Sequence, residues 1–252
     1  MSKNKAFILC GGNSSRWENY LNIEKHFAII NDVRVIENTI KQLHSFYDEI
    51  YIITRDDNKK LYSGLGCNII SISNEQSNLE FFKIKSNIDY WLDADKVSII
   101  MGDVYFTNKA IQKITKSSKR KVFFFGRQKE NFFTKCDHGE IFAFSFYKEH
   151  FDKIENALNK LIYYQTIKNI KIAGGWGMYN ILNNLDFLFT NGKTIKGRAL
   201  IHDFIHILDR TDDIDYPKDY HNLVNSYKIG WVKSSIIKLK TYLYFYYLLI
   251  SN

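Results

Sequence analysis

The sequence predicts an α/β fold in which helices flank a mixed, mostly parallel sheet. Apolar runs of strand length alternate with helical stretches along much of the chain, and this alternation is typical of βαβ units. The 252 residues are 45% hydrophobic and 16% aromatic, which is enough apolar material for a substantial core. Pro217 is the only proline, and no stretch rich in serine, glycine and proline marks a flexible linker. We therefore expect one continuous domain over residues 1–252.

The spacing of apolar residues predicts the individual elements in order. They are a strand over Lys5–Cys10, a helix over Val35–Phe46 with Ile36, Ile40 and Leu43 on one face, strands over Glu49–Thr54 and Cys67–Ile72, a helix over Asn78–Leu92, a strand over Val97–Met101, a helix over Asn108–Thr115, strands over Val122–Gly126 and Glu140–Phe146, and a helix over Tyr147–Tyr163. The pattern is ambiguous from Gly174 to Asp203. Phe204 then begins an edge strand, and Pro217 can begin the following helix because proline fits a first helical turn.

Charge and cysteine content narrow the classes of function. A net charge of +8 would suit nucleic acid, an anionic membrane or a small polyphosphate, but no helix-turn-helix, zinc-finger or aromatic stacking pattern points to nucleic acid. Cys10, Cys67 and Cys136 lie far apart, which argues against a disulfide framework and a zinc site. The chain enters its first strand after four residues, with no room for an export signal. We therefore expect a cytoplasmic protein.

The apolar C-terminal segment Ile236–Ile250 leaves two interpretations open. It is shorter than the ~20 apolar residues that span a bilayer, and Lys238 and Lys240 interrupt it. A terminal helix packed on the body, or on a second subunit of a homodimer, is one interpretation. Peripheral contact with a membrane surface, aided by Lys233, Lys238 and Lys240, is the other.

A loop of small residues directly after the first strand predicts a phosphate-binding site. Small residues let backbone N–H groups approach an oxyanion that a Cβ atom would hold away. The loop residues are Gly11, Gly12, Asn13, Ser14 and Ser15. Arg16 follows with a planar guanidinium suited to phosphate oxygens, and Lys25 adds a compact, mobile cation. We interpret this stretch as the site of a nucleoside triphosphate.

Three aspartates predict a metal site near the same edge of the sheet. Asp103 follows a strand, where α/β sheets place their ligands, and Asp213 and Asp215 face the same way if the chain between them is extended. Carboxylate oxygens of this kind suit Mg²⁺, which is usually held by one or two carboxylates and by substrate phosphates. Any one of these acids could instead be a helix cap or part of a solvated turn. Together with the loop, they indicate phosphoryl or nucleotidyl chemistry.

These motifs resemble the nucleotidyltransferases that make nucleotide-activated sugars, polyols or choline. The resemblance rests on a Gly-Gly-x-x-x-Arg loop, the lysine after it, a Gly-Asp-Val strand end and a late Asp-Ile-Asp-x-Pro-x-Asp-Tyr segment, and it spans Lys5–Tyr220. It implies a Rossmann-like fold of the nucleotide-diphospho-sugar transferase type. Residues 1–126 would then be the nucleotide-binding half, residues 127–220 the acceptor half with the metal-binding segment, and residues 221–252 a helical tail.

The resemblance also implies a reaction. The glycine loop would carry the triphosphate, Arg16 and Lys25 would steady its phosphates, and the three aspartates would bind Mg²⁺. A phosphate monoester would attack the α-phosphorus and release pyrophosphate, and it needs no general base because it is already anionic. The late aspartate segment is similar to that of small cytidylyltransferases, which favours CTP. The resemblance further implies a sugar or alcohol phosphate as acceptor and a role in cell-surface glycan or capsule synthesis.

Base selection in this family points to the segment after the third strand. Gln76 or Ser77 would read a pyrimidine there, and Ser77 could equally cap the following helix. Two departures from the family pattern stand out: Ser14 replaces a glycine, and Glu24 replaces a proline before Lys25. A serine would be strained if that position requires a positive φ, and losing the proline would loosen the placement of the lysine.

Rival classes fit the sequence less well. A glycosyltransferase that consumes a nucleotide sugar typically has two aspartates one residue apart after the fourth strand, whereas Asp103 stands alone. The loop lacks the GxGxxG spacing of a dinucleotide-binding dehydrogenase, and Phe187 replaces the first glycine of a Walker motif ending at Lys193 and Thr194. A catalytically inactive, nucleotide-binding homologue stays open because of Ser14 and Glu24.

Overall fold

The computed structural model describes residues 3–12, 14–77, 79–116, 121–127, 130–170, 172, 174–185 and 203–250. The strands are β1 (Asn4–Leu9), β2 (Ile29–Ile30), β3 (Val33–Arg34), β4 (Glu49–Arg55), β5 (Asn68–Ile72), β6 (Lys96–Met101), β7 (Val104–Tyr105), β8 (Phe123–Arg127), β9 (Glu140–Tyr147), β10 (Phe204–His206) and β11 (Asp212–Asp213). The α-helices are α1 (Val35–Leu43), α2 (Asn74–Ser77), α3 (Glu80–Lys85), α4 (Asn108–Thr115), α5 (Phe151–Thr166), α6 (Gly174–Leu182), α7 (Pro217–Tyr227) and α8 (Trp231–Ile250).

The main sheet, as far as the chain is described, has seven strands in the order β10-β8-β9-β6-β1-β4-β5. β9 runs antiparallel to both β6 and β8, and the other neighbouring pairs are parallel. This mixed, mostly parallel sheet confirms the predicted fold class. The strand order reverses at β1, which lies between β6 and β4, and such a reversal opens a crevice at the carboxyl ends of the strands.

Alternating side chains of the central strand feed two hydrophobic layers. Phe7 of β1 points into the layer formed with α3, α5 and α6, where Phe81 and Leu158 are fully buried. Ile8, the next residue, points into the opposite layer with α1 and α4. A strand covered on both faces has apolar residues at successive positions, as β1 does. Helices therefore cover both faces, and the strand ends are left to carry the site.

A third, smaller cluster holds the segment after the glycine loop against the C-terminal part of the chain. Trp17, Tyr105, Ile214 and Leu223 are buried together in it. The short pair of β7 and β11 lies beside this cluster, with Asp213 opposite Val104 in an antiparallel register. Residues that are distant in the sequence are thus brought to one edge of the main sheet.

The predicted helix over Asn78–Leu92 is divided into shorter pieces. Asn78 is outside the described residues, α3 ends at Lys85, and a 3₁₀ turn follows at Ile88–Trp91. Asn87 explains the division, because its side chain donates a hydrogen bond to the Lys83 carbonyl and accepts one from the Trp91 indole. Asparagine competes for backbone groups in this way and so ends helices that apolar spacing alone would continue.

The ambiguous region contains α6, which begins at Gly174, while residues 186–202, including the rejected Walker segment, are outside the described residues. The C-terminal helix α8 begins five residues before the predicted apolar segment. One side of it packs on the body, with the ring of Phe245 4.5 Å from that of His206. Its other side exposes Ile236, Leu239 and Leu243. Within the described part of the chain, none of the helices has both the length and the apolar character needed to cross a membrane.

Candidate active site

A polar cavity of about 210 Å³ opens at the carboxyl ends of β1 and β6. It lies at the sheet edge where the strand order reverses, which is the expected position of a ligand. Its lining residues are Leu9, Gly12, Ser14, Ser15, Arg16, Lys25, His26, Glu80, Lys83, Met101, Asp103 and Asp215. The glycine loop, both predicted cations and two of the three predicted aspartates therefore meet in one place.

The buried Lys25 ammonium joins two carboxylates from distant parts of the chain. Its Nζ atom lies 2.5 Å from Oδ2 of Asp103 and 3.0 Å from Oδ1 of Asp215, a residue 190 positions away. Arg16 reaches the same carboxylate, with Nη1 2.6 Å from Oδ2 of Asp215. Burial alone would raise the pKa of Asp103, but the Lys25 ammonium outweighs that effect and lowers it to about 2. The aspartate is therefore ionised and ready to bind a cation at neutral pH.

Backbone packing explains why the two carboxylates meet. Gly102 precedes Asp103 and donates its N–H to the Leu9 carbonyl at 3.0 Å. A Cβ atom at Gly102 would lie 2.5 Å from the Cys10 sulfur and 2.7 Å from the Leu9 carbonyl oxygen, so this position needs glycine. The Ile214 N–H then donates to the Asp103 carbonyl at 3.0 Å. Pairing of the two short strands thus delivers Asp215 to the strand end that carries Asp103.

The glycine loop reaches the cavity through Gly12, Ser14 and Ser15, whereas Gly11 does not line it and Asn13 is outside the described residues. Ser14 has a φ of 45°, in the left-handed region where glycine is favoured, so the anticipated backbone strain is present. Its hydroxyl is 3.1 Å from Oε2 of Glu24. The two residues that depart from the family pattern are therefore in direct contact.

Glu24 takes the backbone conformation that a proline would impose. Its φ is −65° and its ψ is 139°, immediately before Lys25. The Glu24 carboxylate also accepts a hydrogen bond from the Asn58 amide at 3.1 Å, and the Arg55 guanidinium lies 3.9 Å away. Hydrogen bonds to the side chain therefore hold this residue, and with it the start of the lysine turn.

Asp213 lies outside the cavity that contains Asp103 and Asp215. Its Oδ1 atom is 3.6 Å from Nη2 of Arg127, and its carboxylate shares a cluster with His138 and Glu140. Burial raises the pKa of Asp213, and the neighbouring Glu140 and Asp212 carboxylates raise it further. β11 ends at Asp213, and the carboxylates of residues 213 and 215 have different partners, Arg127 and Lys25 respectively.

The pyrimidine-reading candidates lie beside the cavity rather than in its lining. Gln76 is exposed, and the buried Ser77 donates its hydroxyl to the Asn74 carbonyl at 2.6 Å. The N-cap of α3 is Leu79, which has no capping side-chain hydrogen bond, so Ser77 is not the cap of that helix. A role of Gln76 or Ser77 in base selection stays a prediction.

Three titratable cavity residues were not identified from the sequence: His26, Glu80 and Lys83. His26 is buried and its Nδ1 is 2.9 Å from the Tyr62 hydroxyl; burial, with the Lys25 charge, lowers the pKa of His26 to about 3. Burial raises the pKa of Glu80 to about 7 and lowers the pKa of Lys83. Glu80 and Lys83 are one turn apart on α3, and this i, i+3 spacing among apolar residues resembles an ordinary solvent-facing stripe. Only the position of α3 below the glycine loop shows otherwise.

A cavity that sets cations and carboxylates around a glycine loop is equipped to handle a nucleoside triphosphate, and the protein is a nucleotidyltransferase. Residues 6–163 match the sequence model of the MobA-like NTP transferase domain, and the chain belongs to that family. This membership confirms the predicted class and favours it over a glycosyltransferase.

Solved structures share the fold at low sequence identity. The CTP:phosphocholine cytidylyltransferase of Streptococcus pneumoniae is 14% identical, with a TM-score of 0.59 over 88% of this chain and 98% of that one. The inositol-1-phosphate CTP transferase of T. maritima is 11% identical, with a TM-score of 0.58 over 91% and 98%. The 4-diphosphocytidyl-2C-methyl-D-erythritol synthase of Anaerococcus prevotii is 12% identical, with a TM-score of 0.57 over 90% and 99%. No curated protein sequence matches the chain significantly.

Proposed function

We propose that the protein transfers a nucleotidyl group from a nucleoside triphosphate, with CTP favoured, to a small phosphate monoester, and that it releases pyrophosphate. The observation that carries this proposal is the Lys25 ammonium held between Asp103 and Asp215 at the glycine loop. A fixed positive charge and two carboxylates therefore lie beside the glycine loop, and this arrangement supports the binding of a triphosphate there. Three structural neighbours are named for cytidylyl transfer, which supports CTP.

Mg²⁺ is the proposed cofactor, and the side chains at the cavity fit it. Asp103 and Asp215 offer carboxylate oxygens, the ligands that Mg²⁺ prefers, and both carboxylates approach one cationic atom. The sequence also predicts Asp213 as a ligand of this Mg²⁺, although in the structure its carboxylate contacts the Arg127 guanidinium. When bound, the ion would neutralise phosphate charge and stabilise the pyrophosphate leaving group.

The residues of the chain would position and neutralise two anions. The glycine loop lines the cavity, and its backbone N–H groups would bind phosphate oxygens. The half-exposed Arg16 also lines the cavity and would turn from Asp215 to a phosphate. An oxygen of the monoester forms the new bond to the α-phosphorus as the bond from that phosphorus to the bridging oxygen breaks. Its electron pair leaves with pyrophosphate. Because the attacking oxygen is already anionic, positioning and electrostatics suffice.

The acceptor and the biological setting follow from the family resemblance. We propose a sugar phosphate or an alcohol phosphate as acceptor, residues 1–126 as the nucleotide-binding half and residues 127–220 as the acceptor half. A role in cell-surface glycan or capsule synthesis in the cytoplasm completes the proposal. The exposed apolar side of α8 and its lysines support contact with a membrane surface or a second copy of the chain, which vesicle sedimentation and measurement of the oligomeric state would test.

A substrate screen tests the proposal. Purified protein with Mg²⁺ is incubated with each of the four nucleoside triphosphates and a panel of sugar and alcohol phosphates, with pyrophosphate as readout and the product mass as confirmation. We expect pyrophosphate only when a triphosphate and one class of acceptor are both present, with CTP giving the highest rate. Binding of triphosphates without turnover across the panel would instead indicate the inactive homologue, and glycosyl transfer from a nucleotide sugar would indicate the glycosyltransferase.

A further inference from the structure

Lys83 is a cavity cation that lies against the glycine loop. Its side chain packs so closely on Gly11 that a Cβ atom there would be 3.1 Å from Cδ of the lysine. No carboxylate in the described part of the chain lies within 4.0 Å of its ammonium. Arg16 and Lys25, in contrast, are both engaged by Asp215, and Lys25 also by Asp103.

The charges of the cavity explain why this difference matters. The described lining carries three cationic groups, those of Arg16, Lys25 and Lys83, and three acidic groups, those of Glu80, Asp103 and Asp215. His26 adds no positive charge at neutral pH, because burial lowers its pKa to about 3. A triphosphate adds several negative charges, so it needs a cation whose charge is not already matched. Lys83 meets this need, because the ion pairs of the cavity engage Arg16 and Lys25 but not Lys83. Burial lowers the pKa of Lys83, and the Glu80 and Asp103 carboxylates oppose this effect only from beyond ion-pair distance.

The helix fixes where this ammonium can reach. The Lys83 carbonyl accepts hydrogen bonds from the Ser86 hydroxyl and the Asn87 amide, both at 2.9 Å, at the end of α3. The next apolar residue, Ile84, is fully buried and anchors the helix to the sheet. The aliphatic part of the lysine therefore lies along the loop, and its charged end enters the cavity.

We propose that the Lys83 ammonium binds a phosphate oxygen of the nucleoside triphosphate, as a third cation beside Arg16 and Lys25. The inference rests on the proposed function, because it concerns the same cavity. Lys83 should also lower the free energy of unfolding of the ligand-free protein, because a partly buried ammonium without an ion pair destabilises the fold.

Lys83→Met tests this claim, with Lys85→Met as the matched control because Lys85 is exposed on the same helix. Calorimetry with inorganic pyrophosphate and with CTP should show a loss of affinity of about ten- to hundredfold for Lys83→Met, the effect of one charge-assisted hydrogen bond. Lys85→Met should bind as the unaltered protein does. The thermal midpoint of the free Lys83→Met protein should be unchanged or higher, and Lys83→Arg should recover part of the binding.

Three outcomes would overturn the inference. If Lys83→Met binds pyrophosphate and CTP with unchanged affinity and keeps its thermal midpoint, Lys83 has no role in binding. If the affinity is unchanged and the thermal midpoint falls, Lys83 is a structural residue. A raised KM for the acceptor with an unchanged KM for the triphosphate would assign the lysine to the acceptor phosphate. Lys83→Gln repeats the comparison with a polar side chain if the methionine variant does not fold. Because pyrophosphate binding needs no turnover, an inactive protein with this binding defect would disprove the proposed reaction and leave the role of Lys83 intact.

Discussion

The Ser14 hydroxyl donates a hydrogen bond of 3.1 Å to the Glu24 carboxylate, and this contact links the glycine loop to the turn that carries Lys25. Ser14 has the backbone conformation of a glycine, and Glu24 has that of a proline. Serine is strained at a positive φ, and glutamate does not fix φ as proline does, but the hydrogen bond between the two side chains holds both residues in these conformations. The two departures from the family pattern thus form one coupled device that positions the cations of the site.

This coupling predicts a non-additive result for Ser14→Gly and Glu24→Pro. Each single change should lower kcat/KM, because it leaves the other side chain without its partner. The double variant should recover, since glycine fits the positive φ and proline fits a φ of −65° after the extended Ile23. We expect a coupling of about 1 kcal/mol from chemical denaturation and kinetics. Ser15→Gly combined with Glu24→Pro is the control and should be additive; additivity in the first cycle as well would refute the coupling.

Asp103→Asn should reduce turnover by at least about a hundredfold and leave the fold intact, because the amide keeps the shape but loses the charge that faces Lys25. Asp215→Asn should behave similarly. Asp213→Asn is the informative comparison, and we expect it to retain more activity since Asp213 contacts Arg127 instead. The activity of the three variants is measured as initial rates over a range of Mg²⁺ concentrations, and circular dichroism checks that each variant is folded. Equal losses in all three variants would place Asp213 among the metal ligands.

Arg16→Ala should weaken catalysis much more than stability. The Arg16 side chain is 57% exposed, and exposed ion pairs contribute little to folding, so the thermal midpoint should change by no more than a few degrees. The loss of a phosphate-binding fork should lower kcat/KM by about tenfold or more. Arg16→Lys should recover only part, because an ammonium cannot make the bidentate contact. A large fall in thermal midpoint with nearly normal kcat/KM would show that Arg16 is structural.

Glu80→Gln should remove a pH dependence of stability. Burial raises the pKa of Glu80 from 4.5 to about 7, so the folded protein holds this proton more tightly than the unfolded chain does. The contribution of the protonated Glu80 carboxyl to the free energy of unfolding is therefore complete below pH 4.5, and it is lost as the pH rises through about 7. The glutamine variant should therefore gain up to about 3 kcal/mol in free energy of unfolding at pH 8 and little at pH 4.5. Chemical denaturation at pH 4.5 and pH 8 measures this free energy, with Glu75→Gln as the control because Glu75 is exposed. An equal gain in free energy of unfolding at the two pH values would contradict the role of Glu80 ionisation.

The sequence alone predicted the sheet and several of the residues that line the cavity. The continuous apolar run of β1 and the loop that follows it are local patterns, so the glycine loop, Arg16 and Lys25 could be identified together. The position of Asp215 was also predicted, because its segment resembles a known motif. Glu80 and Lys83 could not be found in this way, since their role depends on where a helix packs relative to a distant loop. The separation of Asp213 from Asp215 depends equally on tertiary structure, because Arg127 engages one carboxylate and Lys25 the other.

The pairing of β7 with β11 also fixes when the protein becomes competent. Two residue pairs bring Asp215 to Asp103, and that carboxylate lies well beyond the 6–163 stretch that carries the glycine loop and the central strands. A nascent polypeptide that has left the ribosome only as far as Thr166, the end of α5, contains the glycine loop and Asp103 but not Asp215. Catalytic activity should therefore arise late in translation, after the last third of the chain has left the ribosome and β11 has paired with β7.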